Sequence, residues 1–201
     1  MKRIILLILG ITLFSCQKDK AYNYTQEIKK YQYERNVFFS DVNTSPLKEE
    51  DLKNFRSLKF FPIDSKYQVT ATLSKPKEPQ IITVNTTTSD KRKYLPYAIA
   101  QFKINEIPFE LTIYESVSEG FDPLYRPHLF LPFTDLTNGK TSYESGRYLD
   151  IKKVRGDELI LDFNKAYSPY CAYDEDYSCP IPPKENQLDI AIKAGEMIYS
   201  K

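Results

Sequence analysis

Three hydrophobic patterns follow one another along the 201-residue chain. The first is an apolar run, Ile4–Phe14, broken only by Gly10 and Thr12. The second places Tyr24, Ile28, Tyr31, Arg35 and Phe38 at spacings of four and three, which is one face of a helix over Tyr22–Phe39. That stripe is expected to pack onto the domain's own sheet. Ser45-Pro46 suits the start of a short second helix over Leu47–Phe55, because proline at the first helical position forfeits no hydrogen bond. From Tyr67 onward the period falls to two. Tyr67, Val69, Ala71 and Leu73 alternate with polar residues, and Ile82, Val84 and Thr86 resume the alternation after a proline-containing loop.

The strongest strand signal lies in Tyr97–Tyr114. A two-residue turn at Asn105-Glu106 pairs Ile104 with Ile107, Phe102 with Phe109, Ala100 with Leu111 and Ala98 with Ile113, all apolar. The other face then pairs Lys103 with Pro108, Gln101 with Glu110 and Tyr97 with Tyr114. A slip of one residue would destroy this sorting, so the register is well specified. A second hairpin is expected from Arg147–Ile151 through Gly156 to Leu159–Asn164. With Leu129–Phe133, a strand after Asn138-Gly139 and another over Leu188–Lys193, the count reaches about eight strands at hairpin spacing. The expected fold is mainly β: an antiparallel up-and-down barrel or half-barrel capped by N-terminal helices, with a β-sandwich as the alternative.

The first apolar run has another meaning. Its 11 residues follow Lys2 and Arg3, too few for a bilayer span of about 20, and lead to the small residue Ser15. This is the form of an export signal, expected over residues 1–15. Leu13-Phe14-Ser15-Cys16 resembles a lipobox, which implies cleavage before Cys16, a diacylglyceryl thioether on its sulfur and an acylated amine. Residues 16–21 would then be the lipidated cysteine and its tether, and 22–201 a single globular domain. Gln17 in place of an aspartate favours the periplasmic side of the outer membrane. Loss of Lys2 and Arg3 leaves 26 basic residues against 27 acidic ones, with no basic stripe, so nucleic acid is not an expected partner.

Ordered motifs carry a wider resemblance. They include Phe61-Pro62-Ile63-Asp64, Leu131-Pro132-Phe133-Thr134-Asp135-Leu136-Thr137-Asn138-Gly139 and Gly146-Arg147-Tyr148-Leu149-Asp150. Leu161-Asp162-Phe163-Asn164-Lys165-Ala166-Tyr167, Pro169-Tyr170-Cys171-Ala172-Tyr173, Cys179-Pro180-Ile181-Pro182-Pro183 with Asn186, and Ala194-Gly195-Glu196 complete them. From about Tyr22 to its end the chain resembles the bacterial family catalogued as domain of unknown function 1684. Ser145 and Ser168 depart from the glycine and asparagine expected there. The resemblance implies no transferable activity.

Candidate chemistry is sparse. His128 is the only histidine and no Gly-x-Ser-x-Gly occurs, so a partly exposed, hydrogen-bonded imidazole is expected over a catalytic base. Cys171 and Cys179 fit neither zinc nor Cys-x-x-Cys spacing, and beyond the inner membrane they are expected to form a disulfide. Asp174-Glu175-Asp176 is expected to be a solvated turn, and neither a metal site nor a cofactor is expected. Arg147 ends the apolar row Leu149, Ile151, so it must pair with Asp135 or Asp162, or reach an anionic ligand. Tyr148, Asp150, Asp162 and Asn164 share a polar face that is either a pocket or solvated surface. The leading expectation is a lipid-anchored, non-enzymatic module binding a small molecule or an envelope protein. The alternative is an envelope hydrolase with Asp150 or Asp162 as acid or base and Arg147 as anion clamp.

Overall fold

In the computed structural model, residues 22–117 and 128–200 are described. The export signal, Cys16 and its tether lie outside them, as does the His128 side chain. The helical stripe forms α1, residues 22–40. Ile28 is wholly buried, and the Tyr31 hydroxyl donates to the Lys165 carbonyl at 2.9 Å. Arg35 meets Glu196, also at 2.9 Å. The stripe therefore packs on its own domain. The second helix, α2, spans only Glu49–Asn54. Lys48 stays extended ahead of it, and Glu49, Glu50 and Asp51 fill the first turn, where negative charge is favoured.

Seven strands follow among the described residues: β1 Gln68–Ser74, β2 Ile82–Asn85, β3 Lys91–Ile104, β4 Ile107–Ser116, β5 His128–Phe133, β6 Arg147–Lys152 and β7 Glu158–Asp162. They form one antiparallel sheet in the order β6-β5-β4-β3-β1-β7, with β2 also on β3. The β3–β4 hairpin has the expected register from Ile104↔Ile107 to Ala98↔Ile113. Asn105 and Glu106 turn it at φ 51° and 63°, the conformation that matches the twist of paired strands. Beyond Ala98 the register shifts, and Tyr114 faces Pro96 in place of Tyr97. Proline has no N–H for the ladder, and a bulge at that point accommodates it.

The second hairpin does not form. β6 pairs with β5 over six residues, β7 pairs with β1 over five, and these two strands end the sheet on opposite sides. Each has an apolar row that fits several partners, and β5 and β1 offer long matching runs. The sheet is therefore a half-barrel. Its opening is filled by chain after β7: Tyr148 and Tyr167 exchange backbone hydrogen bonds of 2.9 and 3.0 Å. Leu188, Ile192 and Ala194 enter the same core as Ala100, Ile113 and Leu161. The stretch Leu188–Lys193 is accordingly a buried strap and not a strand, and Asn138-Gly139 leads into turns. The stretch was expected as a strand, but its N–H groups bond to loops and to a carboxylate.

Asn186 shapes the curve. Its amide donates to the carbonyls of Thr112 on β4 and Pro132 on β5, at 2.8 and 2.7 Å, while its Oδ1 accepts the Thr112 N–H. This side chain stands between two strands that otherwise align only at Tyr114↔Phe130.

Candidate functional site

Arg147 is fully buried, as its place in an apolar row requires, and its carboxylate partner is Asp135 at 2.8 Å. Its two terminal nitrogens also meet the backbone carbonyls of Ile192, Ala194 and Glu196, with Thr137 at 3.4 Å, whereas its buried Nε has no hydrogen-bond partner among the described residues. Asp135 in turn accepts the N–H groups of Thr137 and Ile192. Burial pushes the Arg147 pKa down, against the pull of Asp135. The pair is a clamp on the C-terminal strap.

Asp162 and Asn164 lie together but serve another joint. Asp162 accepts from the Tyr24 hydroxyl at 3.0 Å and from the Asn164 N–H at 3.1 Å. The Asn164 amide donates to the Tyr24 oxygen and to the Asp64 carbonyl, and its Oδ1 accepts the Asp64 N–H. This network ties α1 to the end of β7. Burial, then the Asp162 charge, holds the Tyr24 pKa far above its ordinary value. Tyr148 is buried elsewhere, its hydroxyl donating to the Pro180 carbonyl. Asp150 is exposed and accepts from Tyr167 at 2.8 Å. The five residues of the second expected hairpin and Asp135 therefore occupy three separate networks. Among the described residues, Asp150 and Asp162 do not converge with Arg147.

A third buried carboxylate, absent from the sequence-based candidates, is Glu196. It meets Arg35 at 2.9 Å, the Ser168 N–H at 2.9 Å and the Tyr173 hydroxyl at 2.6 Å. Burial disfavours the Arg35 charge, yet Glu196, together with Tyr31 and Tyr173, more than offsets it and raises the pKa. The signal in sequence was Gly195. At φ +76°, a Cβ there would lie 2.4 Å from the Ala166 carbonyl oxygen, so only glycine lets the strap approach this closely.

Asp174, Glu175 and Asp176 gather around Lys48, at 3.4, 2.7 and 4.0 Å. Among the described residues no group of three or more His, Cys, Asp or Glu side chains could hold a metal. The expected disulfide is not present: Cys171 and Cys179 are free thiols. The Cys171 N–H donates to the Cys179 sulfur at 3.1 Å, a hydrogen bond where a covalent one was expected.

The open site is a slit in the sheet. The β1–β3 ladder runs from Ser74↔Ile99 to Thr72↔Gln101 and stops there. Yet β1 extends back to Gln68 and β3 on to Ile104. Where the strands part, a groove of about 760 Å³ opens. Phe102, Phe109, Val69 and Pro108 give it apolar surface, with the two rings 6.1 Å apart. Thr70, Thr72, Gln101, Lys103 and Glu110 add hydroxyls, an amide and both charges. Sequence alone showed these polar residues only as the outer face of a regular sheet.

This architecture recurs. An uncharacterized protein of Haloarcula marismortui, known from a solution NMR structure, is 34% identical with a TM-score of 0.67, over 89% of this chain and 96% of that one. None of the curated proteins matches. The family described as "Protein of unknown function (DUF1684)" matches residues 53–197. That span begins in α2 and contains every described strand, the Arg147 clamp, both thiols, the strap and the slit, and the chain belongs to that family.

Proposed function

We propose that this protein is a lipid-anchored, non-enzymatic binding module of the cell envelope, with the β1–β3 slit as its binding site. The observation that carries this reading is the interrupted ladder: two strands lose each other as partners beside a groove lined with apolar and polar groups. Exposed strand edges recruit extended backbone, and pockets beside them select side chains. The ligand chemistry that fits is an elongated segment presenting amides to the edges and an apolar group to Phe102 and Phe109. Residues 1–16 supply the expected signal and the cysteine to be acylated, and several acyl chains on one residue give stable anchoring. The periplasmic face of the outer membrane is the proposed location. The dispersal of Arg147, Asp150 and Asp162 over separate networks favours binding over hydrolysis.

One measurement tests both parts. The full chain is purified in detergent from envelope membranes, and native and denatured masses are compared for wild type and Phe109→Lys. The denatured mass should carry acyl chains on a mature chain beginning at Cys16. The native mass should add a ligand that Phe109→Lys loses at unchanged stability. A denatured mass without acylation overturns the anchor. A native excess that survives Phe109→Lys, or none at all, overturns the slit as the binding site.

A further inference from the structure

We propose that Cys171 and Cys179 form a thiol–disulfide exchange site, with Cys171 the attacking thiol, Cys179 the resolving thiol and a disulfide-bearing thiol compound as substrate. Three features of their placement carry the assignment. The Cys171 N–H donates to the Cys179 sulfur at 3.1 Å, which places that sulfur beside Cys171 without a change of fold. Their surroundings are unequal: Cys171 sits half-buried in a single 3₁₀ turn, Tyr170–Ala172, whereas Cys179 is 7% exposed. Cys179 is also held at both ends of its peptide unit. Its N–H donates to Thr87 Oγ1 at 3.1 Å and its carbonyl accepts the Thr87 N–H at 2.9 Å. An incoming disulfide can therefore reach Cys171 first.

The site also favours the nucleophilic form of that sulfur. The neighbouring Cys179 thiol, assisted by the Tyr143 hydroxyl at 3.5 Å, holds the Cys171 pKa below that of an ordinary thiol despite burial. The neighbouring Cys171 thiol, together with burial, raises the Cys179 pKa, which keeps that thiol protonated until it is needed. In the first step the Cys171 thiolate attacks one sulfur of R–S–S–R. That bond breaks, a Cys171–S–S–R bond forms, and RS⁻ leaves. In the second step Cys179 gives its proton to solvent and attacks the Cys171 sulfur, expelling the second RS⁻. The two protein thiols are oxidised to one disulfide, and the substrate disulfide is reduced to two thiols.

The test uses the mature full chain, reduced and then exposed to glutathione disulfide, with peptide mapping to separate these cysteines from Cys16. Wild type should end as the Cys171–Cys179 disulfide without bound glutathione. Cys179→Ser should stop as a mixed disulfide on Cys171, and Cys171→Ser should leave Cys179 unmodified. In the reduced chain, iodoacetamide should label Cys171 at least about tenfold faster than Cys179 at pH 7. Its pH midpoint should lie below that of an ordinary thiol and move up in Tyr143→Phe, a shift that a purely structural pair would not show. Glutathione on Cys179, a persistent mixed disulfide in wild type, or a Cys171 midpoint at the ordinary value would overturn the proposal.

Discussion

Arg147 and Asp135 show how one buried charge organises a fold. Neither side chain is accessible to solvent, and the guanidinium also holds three carbonyls of a strap more than forty residues away. Taking two charges out of water is costly, so the pair itself adds little net stability, but breaking it strands one charge in the core. Asp135→Ala should therefore cost about 3–5 kcal/mol in urea unfolding. Combining Asp135→Leu with Arg147→Met should recover much of that loss, and a double variant no better than the single would refute this account. The charge at the end of an apolar row was readable from sequence, and Asp135 was one of two partners it suggested. The strap carbonyls were not readable, because a backbone acceptor carries no residue signature.

At the level of elements, the β3–β4 hairpin and the absent β6–β7 hairpin make a useful contrast. Both have alternating apolar rows and short connections. In the first, the register leaves one partner for every apolar residue, and the turn conformation agrees with it. Glu106 nevertheless holds φ 63°, which strains a side-chain-bearing residue by about 1–2 kcal/mol. Glu106→Gly should raise stability by about 0.5–1 kcal/mol, since the exposed contact with Lys103 at 3.5 Å contributes little. Chemical denaturation will read this directly, and a destabilised variant would show that the turn is not strained. For β6 and β7 the alternation named the buried face correctly, with Leu149, Ile151, Leu159 and Leu161 all in the core. It could not name the neighbours, because β5 and β1 satisfy the same rows.

The molecule as a whole is pinned by tyrosines. Burial is the first cause that raises the pKa of Tyr24, Tyr31, Tyr94, Tyr114, Tyr143, Tyr148, Tyr167 and Tyr173, and Tyr94 is pushed up to about 12. Their neutral forms are thus retained in the folded chain while the unfolded chain ionises near pH 10. The stability they contribute is complete below about pH 10 and falls as pH rises toward the folded values. Alkaline unfolding should begin between about pH 10 and 12, with much of the phenolate absorbance rising together with loss of tertiary structure. The absence of tryptophan leaves that signal clean. Reversible ionisation of all tyrosines near pH 10 with the fold intact would contradict it.

Local periodicity was enough to place α1, the apolar core rows of β1, β4, β6 and β7 and most of the register of the one hairpin whose turn left no alternative. Those features depend on residues within a few positions of one another, where side-chain direction follows backbone period. Strand order, the strap through the half-barrel, the Glu196 network, the meeting of the two thiols and the slit all depend on contacts between distant segments. Several partners could satisfy the same apolar row there. Competition among those packings in three dimensions selected one, and it turned the expected polar pocket into joints and opened the sheet between β1 and β3.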